Sequence, residues 1–234
     1  MKKKIVITGG SGRFGGILKK YKKNNLIFFN KKKELDILNY KKIISYLEKK
    51  KPSVLIHLAG LSRPMSIHDK DIKKSIDLNI IGTANITKAC ETNNIKLIYF
   101  STHYVYSGVK GNYKETDPVL PVNNYAWSKL GGEAAVHLYK NSLILRLCMT
   151  EKPFVHKKAF TNVKTNFMFH EDVIPIVFKL INRKGVINIG GKKQSIYNFA
   201  RQNNRMVKKD LAKKDQIPLN STLDLKKMKL ALKS

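Results

Sequence analysis

Short apolar runs alternate with longer amphipathic stretches along most of this chain. Ile5-Val6-Ile7, Leu26-Ile27-Phe28-Phe29, Val54-Leu55-Ile56, Leu97-Ile98-Tyr99-Phe100, Leu143-Ile144-Leu145 and Val186-Ile187 anchor strands predicted near 3 to 8, 26 to 30, 53 to 59, 96 to 101, 143 to 148 and 186 to 190. Runs that are apolar on both faces belong to buried, parallel strands. Helical periodicity fills the intervals near 13 to 23, 39 to 50, 69 to 92, 123 to 140 and 170 to 182. The third of these places Ile72, Ile76, Ile80, Ala84 and Thr87 on one stripe. Strand and helix in alternation predict an α/β fold, a doubly wound parallel sheet of Rossmann type. That sheet domain is expected over residues 1 to 150. Beyond it the alternation loosens: 151 to 168 read as irregular chain and 221 to 232 as a short amphipathic helix. A small C-terminal lobe is expected over 151 to 234, with segments returning to the core.

Composition narrows the setting. The 234 residues are 42% hydrophobic, enough for a sizeable core and incompatible with a mainly disordered chain. No run approaches the ~20 apolar residues of a membrane span. The opening Met1-Lys2-Lys3-Lys4 leads into a short, glycine-broken apolar stretch unlike a signal peptide. Cys90 and Cys148 stand far apart with no Cys-x-x-Cys pair, as suits a reducing cytoplasm. The formal charge of +30 attracts polyanions. Only six of the 46 cations are Arg, the residue that reads bases, so specific nucleic-acid binding is not expected. Lys, Ile and Asn together make 84 residues, the bias of an AT-rich coding sequence, which loads lysine onto every solvated face. The histidines at 57, 68, 137, 156 and 170 lack ligand spacing, and no metal site is expected.

The first strand runs into Thr8-Gly9-Gly10-Ser11-Gly12-Arg13-Phe14-Gly15-Gly16 and on into a helix. Gly9, Gly12 and Gly15 allow a tight turn, close approach of backbone N–H groups to a pyrophosphate, and close packing of helix on strand. The second strand ends in Asn30, where a site selective for NAD carries Asp or Glu, and Lys31, Lys32 and Lys33 follow. NADP(H) is therefore expected over NAD(H), with Lys31 and Arg13 as candidate phosphate contacts.

Tyr125-Ala126-Trp127-Ser128-Lys129 sets a phenol and an ammonium four residues apart, on one face of a helix. A phenol of pKa ~10 is a weak acid or base at neutral pH, and a nearby cation lowers that pKa. Upstream, the fourth strand ends in Ser101-Thr102-His103-Tyr104 and delivers hydroxyls to the carboxyl edge of the sheet.

With these motifs the chain resembles the extended short-chain dehydrogenases/reductases that modify nucleotide sugars. The glycine loop, His57-Leu58-Ala59-Gly60, Asp77-Leu78-Asn79-Ile80-Ile81-Gly82-Thr83, Ser101 to Gly108, Glu115-Thr116-Asp117-Pro118 and Tyr125-x-x-x-Lys129 match in order over about residues 1 to 150. His170-Glu171-Asp172-Val173, Gly185 to Gly191 and Leu219 to Asp224 are similar to the closing part of the dTDP-4-dehydrorhamnose reductase branch.

The resemblance implies that Tyr125 moves the proton at the sugar carbonyl or hydroxyl while Thr102 holds that oxygen. Lys129 would bind the nicotinamide ribose and lower the Tyr125 pKa, and Asn79 would support the site by holding helix backbone and a water. Phe14, Leu58, Ala59 and Gly60 fall in the cofactor crevice, and Asp36 matches the position that meets the adenine end. A helix cap is the alternative reading of Asp36. Ser101 faces the other side of its strand. His103 stands where the reductase branch often has Asp and reads equally well as a partly exposed loop-edge histidine. The implied activity is NAD(P)H-dependent reduction of a 4-keto nucleotide sugar. An epimerase or dehydratase with tightly held NAD and a non-catalytic dinucleotide-binding regulatory subunit are the alternatives. A nucleotide sugar is the implied small-molecule partner, and a homodimer is an open option.

Overall fold

A computed structural model describes residues 3–21, 26–213 and 217–233. Two compact units divide the chain. The first takes in residues 1–101, 128–145 and 183–185, and the second 102–127, 146–182 and 186–234.

The N-terminal part alternates as the hydrophobic pattern predicts. It runs β1 (Ile5–Thr8), α1 (Arg13–Tyr21), β2 (Ile27–Phe29), α2 (Tyr40–Lys50) and β3 (Val54–His57). The short helices α3 (Ile67–Lys70) and α4 (Ile72–Ile76) follow, then a π-helical turn at Asp77–Ile81, α5 (Gly82–Thr92) and β4 (Lys96–Thr102). A 3₁₀ turn at His103–Val105, α6 (Asn124–His137) and β5 (Ser142–Leu147) complete the alternation. Parallel pairing is in register from Ile5 to Ile27, Ile5 to Val54 and Val54 to Lys96. Every residue of β1, β3 and β4 is buried, which is why these strands are apolar on both faces.

Later elements are shorter: β6 (Met149–Thr150), β7 (Lys158–Phe160), β8 (Lys164–Thr165), β9 (Met168–Phe169), α7 (His170–Lys179), β10 (Gly185–Ile189), β11 (Gln194–Ser195), α8 (Ile196–Asn203), β12 (Lys208–Asp210) and α9 (Lys226–Lys233). The central sheet has six strands in the order β10-β5-β4-β3-β1-β2. From β1 the chain adds β2 on one side and β3 on the other. This reversal opens a crevice beyond the carboxyl ends of β1 and β3, where sheets of this kind hold ligands.

Four expectations need correction. The helix foreseen over 69 to 92 is interrupted, because Asp71 leaves helical geometry (φ −137°, ψ 73°) and its side chain caps α4 at the Lys74 N–H. The stretch 151 to 168 is not irregular: it forms β7, β8 and β9, whose two or three residues are too few to show a period. The last helix starts at Lys226 rather than 221, since Tyr113 and Lys164 bridge to Leu223 and Asn220. Helix α8 was not foreseen, although Ile196, Phe199 and Ala200 give it a buried stripe behind a Ser195 cap. The predicted end of the first helix, at 22 and 23, lies outside the described residues.

Candidate functional site

In the first unit, the glycine loop is shaped by what a side chain would strike. Gly9 has φ +68°, and a Cβ there would lie 2.6 Å from the Ala59 nitrogen. A Cβ on Gly15 would meet the Gly9 carbonyl oxygen at 2.7 Å. Only glycine lets α1 start this close to the turn. Beneath the loop runs a chain of buried hydrogen bonds. Thr8 Oγ1 lies 2.7 Å from His57 Nδ1 and accepts the Ala59 N–H, and His57 Nε2 lies 3.1 Å from Thr83 Oγ1. Burial, with the Lys129 charge second, pulls the His57 imidazole down to about 3. It is neutral at ordinary pH, and a hydroxyl on each nitrogen suits either tautomer. The ends of β1 and β3 are thereby tied to each other and to α5.

Asn79 sits in the π-helical turn and is fully buried. Its amide oxygen accepts the Leu61 N–H at 2.6 Å, and its amide nitrogen donates to the Leu61 carbonyl and to Ser128 Oγ at 2.9 and 2.8 Å. One side chain thus clamps the segment after β3 to α6. π-Turns of this kind recur at functional sites. Lys129 is buried, with its Nζ 4.2 Å above the centre of the Tyr99 ring. Burial draws its ammonium down to about 7 against an opposing pull from Glu133, one turn further along α6. Ser101 points away from the carboxyl edge and donates to the buried Glu133 carboxylate.

In the second unit, Thr102 ends β4, and its hydroxyl oxygen accepts the Tyr104 N–H at 3.2 Å. The Tyr104 ring meets Tyr125 edge-on at 6.4 Å, so the strand end and the first turn of α6 share an aromatic contact. His103 is not a loop-edge residue: it is 4% exposed. Its Nδ1 lies 2.9 Å from the Leu147 carbonyl, its Nε2 3.7 Å from Cys148 Sγ, and Cys148 continues to Thr165 Oγ1 at 2.8 Å. Burial lowers the His103 imidazole to about 4 and raises the Cys148 thiol to about 12, so both are neutral. A neutral imidazole needs no counter-ion in this apolar setting, whereas a carboxylate here would carry a buried charge.

The other sequence-derived candidates separate into those on the crevice and those spent on structure. Leu58, Ala59 and Gly60 follow β3, Ala59 against Gly9 and Gly60 against the Asn79 amide. Gly12 closes the loop by donating to the Gly9 carbonyl. Arg13 opens α1, is exposed, and donates to Ser62 Oγ at 2.9 Å. Phe14 is buried against Phe100. Asn30 is buried too, its amide nitrogen donating to the Ile7 and Phe28 carbonyls. Lys31 is exposed, and its N–H donates to the Glu34 carboxylate at 2.6 Å. Asp36 accepts the Leu38 N–H in a turn, while the cap of α2 is Asn39. Tyr125 and Lys129 stand one turn apart on α6. Sequence reasoning passed over Glu34 and Glu133. Spacing signals both, one a carboxylate just after β2, the other four residues beyond Lys129. No group of three metal-ligating side chains occurs among the described residues, and no helix is long and apolar enough to cross a membrane.

A Rossmann-type sheet with a glycine loop at its reversal point places the chain in the doubly wound α/β class. Residues 2–168 match the RmlD substrate binding domain family, and the chain belongs to that family. It is 31% identical over 155 residues to a dTDP-4-dehydrorhamnose reductase of Aggregatibacter actinomycetemcomitans, covering 63% of this chain and 51% of that protein. It is 28% identical over 155 residues to methionine adenosyltransferase 2 subunit beta of Xenopus tropicalis, covering 62% and 46%. The chain spans about half the length of the curated relatives it matches. In fold it is similar to dTDP-4-dehydrorhamnose reductase from Bacillus anthracis in complex with NADP, with TM-score 0.86, 22% identity, and 98% and 92% of the two chains covered. It is also similar to Bordetella bronchiseptica WbmG in complex with NAD and UDP, with TM-score 0.76, 19% identity, and 98% and 88% covered.

The neutrality of His57 has a measurable consequence. Its pKa in the folded state lies below its unfolded value of ~6.5, so the unfolded chain takes up the extra proton, and its contribution to stability is lost as pH falls from ~6.5 toward 3. Unfolding free energies of the wild type and His57→Asn, from denaturant titrations between pH 7 and 4, should converge by up to about 1.4 kcal/mol per pH unit. A stability difference that stays constant over that range contradicts a neutral, buried His57.

Proposed function

We propose that the chain is an NAD(P)H-dependent reductase of a 4-keto nucleotide sugar. The observation that carries this reading is Tyr125 and Lys129 one turn apart on α6, in a chain whose first strand ends in a glycine loop with no room for a Cβ. The reductase name of the Aggregatibacter relative supports it. A dinucleotide suits the loop because Ser11, Gly12 and Arg13 are exposed at the amino end of α1, where a pyrophosphate would meet the helix N-terminus. When bound, the reduced nicotinamide supplies the hydride. Tyr125 gives its phenolic proton to the carbonyl oxygen as charge develops there, and Thr102 donates a second hydrogen bond to that oxygen. Lys129 holds the cofactor ribose and, while protonated, favours the phenolate that Tyr125 becomes. Asn79 keeps the backbone after β3 in place.

A second reading is favoured by one observation, the similarity to methionine adenosyltransferase 2 subunit beta. In that reading the fold is retained for binding, as a regulatory subunit. Kinetics separate the two. Tyr125→Phe should lower turnover of a keto nucleotide sugar by at least ~10²-fold, the effect of losing a positioned acid, with dinucleotide affinity nearly unchanged. Undiminished turnover in that variant, or a wild type that binds dinucleotide and reduces none of a panel of keto nucleotide sugars, contradicts the reductase reading.

For the cofactor, NADP(H) is proposed over NAD(H). No carboxylate side chain ends β2, and Lys31, Lys32 and Lys33 are exposed just after it. Glu34, held by the Lys31 N–H, is the one opposing charge in that run. A charge-assisted hydrogen bond from lysine to the 2′-phosphate contributes ~1.5 to 3 kcal/mol. Calorimetric titration should therefore show NADPH binding at least ~10-fold more tightly than NADH, with the preference widened by Glu34→Gln and narrowed by Lys31→Ala. Equal affinities in the wild type overturn this choice.

A further inference from the structure

The second unit carries a groove of about 1130 Å³ that shares no lining residue with Thr102 or Tyr125. Five cations line it, Lys164, Lys192, Lys193, Arg201 and Lys209, and no carboxylate does. None of the five is in an ion pair with a carboxylate among the described residues. All are exposed, and they come from four parts of the fold: β8, the segment after β10, α8 and β12. Like charges brought together in this way repel, and an anion relieves that repulsion.

Two features set the groove apart from lysine scattered over a basic surface. The Tyr197 ring carries two of the cations, with Arg201 Cζ and Lys209 Nζ each 5.8 Å from its centre, and the Arg201 guanidinium donates to the Tyr197 hydroxyl at 3.4 Å. One aromatic side chain therefore holds two positive charges over the groove. The amino end of α8 also lies there, through Ser195 and Asn198, and adds its partial positive charge. The other side chains on the wall, Thr161, Gln194 and Gln202, are uncharged and polar. Pockets for small organic ligands are mostly apolar and enclosed, whereas a wide, polar, cationic trough suits an extended anion that needs charge along its length.

We propose that this groove binds a chain of phosphates without reading sequence, the shared chemistry of a single-stranded nucleic-acid backbone and of inorganic polyphosphate. This does not depend on the reductase reading.

The test is fluorescence anisotropy with a labelled 15-nucleotide oligo-dU, and polyphosphate of matched charge as competitor, over a salt series from 50 to 200 mM. The triple variant Lys164→Gln, Arg201→Gln, Lys209→Gln keeps long polar side chains and removes three charges. It should lose at least about tenfold in affinity at 50 mM salt, and the slope of log K against log salt should fall by about 2, from ~0.7 per phosphate contact on a single strand. Lys193→Glu, one reversed charge on an exposed loop, should weaken binding in the same direction. A control triple, Lys41→Gln, Lys49→Gln, Lys70→Gln, removes the same charge from exposed positions elsewhere and should change affinity less than about twofold. Equal losses in the groove and control triples show a diffuse effect of net charge and overturn the proposal, as does absence of binding by the wild type. Competition by polyphosphate at matched charge assigns recognition to phosphates alone. Failure to compete ties recognition to the nucleosides and overturns the proposal.

Discussion

A buried imidazole held between two threonine hydroxyls is the constraint on which the first unit depends. Thr8 ends β1, His57 ends β3 and Thr83 lies on α5, so one neutral side chain joins three elements whose backbones must meet at a fixed spacing. Gly9 can approach Ala59 as closely as it does because Thr8 Oγ1 also takes the Ala59 N–H. A charged imidazole could not be accommodated without a counter-ion, and an apolar replacement would take a partner from the hydroxyls of Thr8 and Thr83. Asn79 repeats the device one segment later, using both ends of its amide to hold Leu61 and Ser128. The shape of the crevice thus rests on buried polar contacts, each satisfied within the unit.

The same preference for neutral polar groups appears in the second unit. His103, Cys148 and Thr165 form a line of contacts that starts beside Thr102 and ends on β8. Both titratable members are held neutral by burial. A histidine where the reductase branch often has Asp is consistent with this interior, because its Nδ1 satisfies the Leu147 carbonyl without bringing a charge.

The sheet was legible in the sequence because β1, β3, β4 and β5 are buried on both faces. Runs such as Val54 to Ile56 and Leu97 to Phe100, short and set between helical stretches, are what such strands leave in a sequence. The glycine loop, Tyr125 and Lys129 were legible through spacing. What the sequence concealed was local geometry. Asn30 was read only as the residue that stands in place of a carboxylate, and that its amide nitrogen donates to two carbonyls is a fact that only the course of β2 beside β1 reveals. The interior position of His103 depends on Leu147 and Cys148, more than forty residues away. Short elements such as β8 and β11 have pairing partners but no period, and the basic groove beside them is assembled from segments that look like ordinary lysine-rich surface when read one at a time.

The central functional claim is net hydride transfer to a sugar carbonyl. It is tested most directly by supplying cofactor deuterated at the transferable position of the nicotinamide, with a 4-keto nucleotide sugar, and locating the label by NMR of the product. The account predicts one deuterium on the former carbonyl carbon and one equivalent of cofactor oxidised per product. A product that carries no deuterium, with the cofactor unchanged, would contradict it.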